Sequence, residues 1–298
     1  MPVNVGTGIT ECYDSYCCFR NKEESGYRIL WELTAKCNLD CPFCHVSPTR
    51  ELTFPQIEAI MHQLKELPVS DIIFTGGEPL LRKDMFDILD LAQRLNFKMD
   101  LCTNATLVTE QSAYKLMKYL SEISVSLDGD AAAHNRSRGS DKAYDRTIKG
   151  IRTLIEAGHQ VHLTCVVTKY NYQRLPEVFE IAQELGADSL AFLGLIESHI
   201  ANPKARNGLK LTEEELQQVR ETITTLRSHS SMKVNTKRIF PQVVEERCTA
   251  GTRILGITAE GELRKCILLK DAFVHDFKQG VLTADQLNTL APHHCTCF

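Results

Sequence analysis

Six short apolar runs punctuate the chain: RILWELT (28–34), DIIFTGG (71–77), KMDLCTN (98–104), ISVSLDG (123–129), VHLTCVVT (161–168) and SLAFLGLI (189–196). They are often β-branched and carry few polar positions, a pattern that predicts buried strands rather than half-exposed ones. Helical periodicity lies between them. Thr53 is a capping residue with Gln56 three positions on and Pro55 in the first turn, and Ile57, Ile60, Met61 and Leu64 then form one stripe. Phe86, Leu89 and Ala92 mark a second helix. Ile148, Ile151, Leu154 and Ile155 mark a third, ended by Gly158. Thr212 and Glu215 form a capping box ahead of Leu216, Val219, Ile223 and Leu226.

Six such units predict an α/β fold with a parallel sheet and right-handed crossovers. No GxGxxG follows the first strand, so dinucleotide binding is disfavoured, and a partial (β/α)6 TIM-like barrel is the expected architecture. After about Ser230 the pattern changes, and GITAEGELRKC reads as a Gly-turned hairpin. The expected division is a Cys-containing N-terminal leader at 1–27, a barrel at 28–231 and a small extension at 232–298. An extension of that size is too small for its own core, and such units are commonly stapled by metal.

Composition narrows the chemistry. At 298 residues and 43% hydrophobic, the chain can bury a substantial core. Its 34 Lys and Arg against 38 Asp and Glu give a net charge of −4, with no broad basic surface for nucleic acid. No apolar run is long enough for a signal-peptide core or a membrane span, so a cytoplasmic location is expected. Twelve cysteines in that compartment point to metal ligands or redox groups rather than disulfides. Cys102 and Cys165 sit singly in apolar runs and read as small core residues.

Cys37, Cys41 and Cys44 form CxxxCxxC directly after the first strand, at the end where α/β folds place their chemistry. Three thiols in one loop leave two readings open. One is a zinc site completed by His45 or a distant cysteine. The other is an iron–sulfur cluster, which soft thiolates also suit. Three thiolates on a four-iron cube would leave one iron open.

The loop, with Phe43 just before its last thiol, resembles that of the radical S-adenosylmethionine (SAM) superfamily. Thr75-Gly76-Gly77-Glu78-Pro79 resembles the family's GGEP motif. Asn104 in CTNATL, Ser126-Leu127-Asp128-Gly129 and Arg138-Gly139 resemble the subgroup with SPASM or twitch extensions. All of these fall at or downstream of the carboxyl ends of expected strands.

The resemblance implies a [4Fe–4S] cluster on Cys37, Cys41 and Cys44, with the amino and carboxylate groups of SAM on its open iron. Gly76 and Gly77 would let backbone approach the ligand, with Pro79 completing the motif. Glu78 would meet the ligand ammonium. Phe43 and apolar residues near the ends of strands five and six would flank adenine. Asn104, Ser126 and Arg138 would reach the ribose and the methionine carboxylate, with Asp128 part of the same site.

Cys248, Gly261 and Cys266 are spaced C-x12-G-x4-C, which resembles the start of a SPASM or twitch domain. The implied auxiliary [4Fe–4S] cluster would use Cys248, Cys266, Cys295 and Cys297. The final pair is CxC where CxxC is usual, so one of the two could be free. A free Cys297 would be a hydrogen-atom donor, and Cys12, Cys17 or Cys18 could replace it or hold a further cluster. A zinc ribbon is the plainer alternative for the same residues.

The activity implied is reductive cleavage of SAM to a 5′-deoxyadenosyl radical, followed by hydrogen-atom abstraction. The expected substrate is a ribosomally made peptide or a protein side chain. The alternatives are dehydrogenation or epimerisation of a small sugar or aminocyclitol, and a non-catalytic iron–sulfur carrier. Expected partners are the substrate, an electron donor such as flavodoxin or ferredoxin, and a separate peptide-presenting protein. Neither nucleic acid nor membrane is expected.

Overall fold

A computed structural model describes residues 26–120, 122–195, 208–237, 239–240, 250–251, 253–267, 272–288 and 290. The six expected strands are present as β1 (Tyr27–Thr34), β2 (Val69–Gly76), β3 (Lys98–Thr103), β4 (Glu122–Ser126), β5 (Gln160–Val167) and β6 (Ser189–Gly194). They pair in sequence order and all in parallel. The helices that return the chain are α1 (Phe54–Lys65), α2 (Met85–Arg94), α3 (Glu110–Leu116), α4 (Ala131–Arg138), α5 (Ala143–Glu156), α6 (Leu175–Leu185) and α7 (Glu213–Ser228). Gln56 Oε1 accepts from the Thr53 amide at 2.9 Å, and Glu215 Oε2 from the Thr212 amide at 2.8 Å, so both expected starts are capped.

The sheet is larger than the six-unit pattern. A polar strand, β7 (Lys233–Lys237), extends it in parallel beyond β6. The Gly-turned hairpin forms β8 (Ile254–Ile257) and β9 (Glu262–Arg264), followed by β10 (Phe273–Asp276) and a short helix, α8 (Ala284–Asn288). β8 lies parallel to β1, so the order runs β10-β9-β8-β1-β2-β3-β4-β5-β6-β7. Among the described residues the two ends do not pair, and the result is an open, partial barrel. Leu255, Ile257 and Leu263 of the hairpin join the same hydrophobic core as β1 and β2.

The strands are not uniformly apolar. In β3 and β4, Met99, Leu101, Ile123 and Val125 are buried beneath the helices, while Asp100, Cys102, Ser124 and Ser126 alternate with them and are less covered. This corrects the expectation of strands buried on both faces. A partial barrel has an outer face covered by helices and an inner face on a lumen, and period-two alternation follows from that.

Within the lumen Leu30, Ile73 and Ile267 form a separate apolar cluster, with Cys102 and Ile254 packed against it. Ile267 thus brings the C-terminal extension into the barrel interior. Cys165 is fully buried, as expected, whereas Cys102 is not. No helix among the described residues is long and apolar enough to cross a membrane.

His162 on β5 places Nδ1 2.9 Å from Ser189 Oγ and Nε2 3.7 Å from Glu122 Oε2. Burial pushes its pKa down to about 4. The unfolded chain protonates its histidines near the ordinary value of about 6.5. Below that value the unfolded chain takes up a proton that the folded chain does not hold. Stability present above it is therefore lost as pH falls, by up to about 1.4 kcal/mol per pH unit. The loss continues until the folded pKa of about 4 is passed. The urea midpoint, followed by the single, fully buried Trp31, falls across this window less steeply in His162→Gln than in the native chain.

Candidate functional site

The thiol loop leaves β1 at Thr34 and has no regular secondary structure before α1. Its shape is imposed from outside. Glu51 Oε1 accepts from the Thr34 hydroxyl and from the amides of Ala35 (3.1 Å) and Lys36 (3.3 Å), fixing the exit from the strand. The Gly77 amide donates to Thr34 O at 2.7 Å, and the Glu78 amide to Lys36 O at 2.8 Å. A Cβ on Gly76 would lie 2.3 Å from Thr34 O, and one on Gly77 would lie 2.1 Å from Lys36 O. The two glycines of the GGEP stretch are therefore required first by the backbone of the thiol loop. On the other side Gly139 ends α4 in the left-handed region, and a Cβ there would lie 2.2 Å from Asp40 O. The Asp40 amide donates to Arg138 O at 3.2 Å.

These contacts place Cys37, Cys41 and Cys44 on the wall of one cavity of about 230 Å³. The wall is completed by Phe43, Gly76 and Gly77, and by Asn104, Ser126 and Arg138. Val166, Leu193 and Leu195 add apolar surface from the ends of β5 and β6, and Cys102 lines the cavity from β3. Cys102 also packs on the Leu30–Ile73–Ile267 cluster, which therefore lies against the cavity floor. His45 lines the wall too, with Nε2 2.9 Å from Glu32 Oε1. Glu32 sits in an apolar strand, and no local motif marks it.

Glu78, Pro79 and Asp128 stand behind this wall rather than on it. Glu78 is fully buried, and its carboxylate accepts from Thr103 Oγ1 at 2.8 Å and from the amides of Asn104 (2.7 Å) and Leu80 (3.1 Å). Burial pushes its pKa up, opposed by those donors. Three protein donors hold the carboxylate and Glu78 does not line the cavity, so it braces the end of β3. Asn104 is held at every polar group. Its carbonyl accepts from Thr147 Oγ1, its Oδ1 from the Thr106 amide, and its Nδ2 donates to Asn38 Oδ1 at 3.0 Å.

Asp128 is also fully buried, and burial raises its pKa against the pull of Arg138. Oδ1 accepts from the Val166 amide at 3.0 Å, and Oδ2 lies 2.7 Å from Arg138 Nε as an ion pair without hydrogen-bond alignment. The Asp128 amide donates to His134 Nδ1 at 3.1 Å, and Asn171 Nδ2 donates to its carbonyl at 2.9 Å. Burial and Arg138 push the His134 pKa down to about 3, so the ring is neutral and accepts. His134 and Asn171 belong to no motif in the sequence.

Of the remaining cysteines read as ligands, Cys266 is described and half-buried just after β9. Cys12, Cys17, Cys18, Cys248, Cys295 and Cys297 lie outside the described residues.

Gly139→Ala tests how tightly the loop is held. The substitution costs about 1–2 kcal/mol for a left-handed non-glycine residue alone, with displacement of Asp40 added to it. Urea unfolding reads the loss as a lowered midpoint.

Known proteins share sequence and fold with the chain. An AdoMet-dependent heme synthase of Methanosarcina barkeri is 36% identical over 166 residues, 53% of this chain and 48% of that protein. The PqqA peptide cyclase of Gluconobacter oxydans is 28% identical over 250 residues, covering 80% of this chain and 69% of that protein. The chain spans about half the length of the heme-synthase relatives it matches. The fold is shared with Streptococcus suis SuiB bound to precursor peptide SuiA, at a TM-score of 0.67 and 20% identity, over 82% of this chain and 60% of SuiB. The radical SAM superfamily profile matches residues 31–182, from inside β1 to inside α6, and therefore covers the thiol loop and the carboxyl ends of β1 to β5. The chain belongs to the radical SAM superfamily.

Proposed function

We propose that Cys37, Cys41 and Cys44 hold a [4Fe–4S] cluster, that SAM binds beside it, and that the chain modifies a peptide or protein side chain by hydrogen-atom abstraction. One observation carries this reading: three thiols share a single cavity with Gly76, Gly77, Asn104, Ser126 and Arg138. The donor set fits the cofactor. Burial pushes all three thiols up, Cys44 to about 11, and outweighs the opposing pull of Arg138 on Cys41, so each favours its neutral form until further positive charge is added. Iron supplies that charge and makes thiolate the stable form.

When bound, the reduced cluster and SAM supply a 5′-deoxyadenosyl radical that removes a hydrogen atom from a substrate carbon. The protein's own contribution is placement and exclusion. Phe43, Val166 and Leu195 give apolar surface for adenine. Ser126 presents a polar group at the end of β4, and Asn104, fixed by its own hydrogen bonds, lines the cavity at the end of β3. Arg138 offers a cation for a carboxylate. The Gly76–Gly77 backbone, in place of the Glu78 side chain, faces the ligand amino group. The apolar cluster around Ile267 packs on Cys102, which lines the cavity, and keeps water from that side. Cys248, Cys266, Cys295 and Cys297 are assigned to an auxiliary cluster, and a flavodoxin or ferredoxin to electron supply.

The peptide reading draws support from the PqqA peptide cyclase, whose match extends over 80% of the chain. A second reading has its own support: an AdoMet-dependent heme synthase is the more identical relative, at 36%, which favours a tetrapyrrole substrate.

Anaerobic reconstitution with dithionite and SAM separates an enzyme from an iron–sulfur carrier. The native chain forms 5′-deoxyadenosine, and the chain with Cys37, Cys41 and Cys44 all replaced by Ala forms none. A native chain that binds iron and releases no 5′-deoxyadenosine is a carrier. Deuterium transferred into 5′-deoxyadenosine from labelled peptide supports the first substrate reading, and transfer from a labelled tetrapyrrole alone selects the second.

A further inference from the structure

The three thiol sulfurs have different surroundings. The backbone amides of Asn38 and Leu39 face the Cys37 sulfur, joined by Asn104 Nδ2 at 3.8 Å. The Val46 amide faces Cys44. Cys41 receives a charged donor instead, Arg138 Nη1, aligned at 3.9 Å. That donor is a buried cation, 7% exposed, with its guanidinium 5.4 Å from the Phe43 ring centroid. Its Nε faces Asp128 while its Nη1 faces the sulfur, so the anion and the thiol are met by different nitrogens. Asp128 is in turn fixed by Val166, His134 and Asn171. The guanidinium therefore has little freedom to leave Cys41.

We propose that Arg138, positioned by Asp128, sets the reduction potential of the cluster through an N–H···S hydrogen bond from a buried cation to Cys41. This rests on the reading that Cys37, Cys41 and Cys44 hold the cluster. An added electron increases the negative charge on the sulfurs, and a donor beside one of them stabilises the reduced form more than the oxidised form. A charged donor acts more strongly than a neutral amide, and burial limits the screening of its charge. The potential is raised, and the electron enters more easily. This role is separate from contact with a ligand carboxylate, because it operates before SAM binds.

The test is an EPR-monitored redox titration of the reconstituted native chain and of Arg138→Gln, anaerobic and without SAM. At a fixed donor potential the ratio of reduced to oxidised cluster falls at least about tenfold in the variant, equal to about 59 mV for a one-electron couple. A Gln variant with native iron content and an unchanged or higher potential overturns the proposal. A second measurement needs no substitution. The native chain is labelled with 15N-arginine, and pulsed EPR of the reduced, SAM-free cluster detects a 15N coupling from Nη1. Absence of that coupling overturns the proposal even where the Gln variant fails to hold iron. Failure of the native chain to form 5′-deoxyadenosine, with the coupling present, counts against the proposed function and leaves this inference standing.

Discussion

The site depends on backbone packed directly against backbone. Thr34 and Lys36 lie so close to Gly76 and Gly77, and Asp40 so close to Gly139, that no Cβ fits between them. The thiol loop has no ladder of its own, so these approaches substitute for one. They tie it to the end of β2 on one side and the end of α4 on the other. A loop with side chains at these contacts would stand further from the barrel, and its three sulfurs would no longer share a cavity with Asn104 and Arg138.

Behind the loop runs a rim of buried charge. Glu78 joins the end of β2 to the end of β3, and Asp128 joins the end of β4 to β5 and α4. Burying such groups is costly unless each is paired or hydrogen-bonded. Here each has donors from a neighbouring strand. The benefit is geometric: the ends of β2 and β3, and those of β4 and β5, are joined by bonds stronger than a neutral hydrogen bond. A site that must hold reacting atoms in one arrangement needs support of this kind.

The C-terminal extension serves the barrel in two places. Its hairpin adds β8 and β9 beside β1, and Ile267 enters the lumen against Leu30 and Ile73. A Cβ on Gly256 would lie 2.6 Å from Ile267 Cβ, so the strand and the inserted side chain are fitted to each other. A barrel left open at one edge would expose both that edge and its lumen. The same short segment covers part of each.

The sequence by itself determined the six parallel strands, their carboxyl ends and the residues gathered there. Those properties depend on short-range patterns: apolar runs, capping pairs at Thr53 and Thr212, and the spacing of three cysteines. The tertiary structure decided which residues of those motifs face the cavity. Glu78 follows cavity-lining Gly77 and Asp128 lies two residues beyond cavity-lining Ser126, yet both point into the wall, where Thr103 and Asn104 hold the first and Val166 and Arg138 the second. Polar β7 was invisible because KVNTK carries one apolar residue, and pairing with β6 is what makes it a strand. His134, Asn171 and Ile267 reach the site from helix, turn and extension, across separations that no local pattern records. The tether of Arg138 to both Asp128 and Cys41 exists only once strand register and helix packing bring three distant segments within a few ångströms.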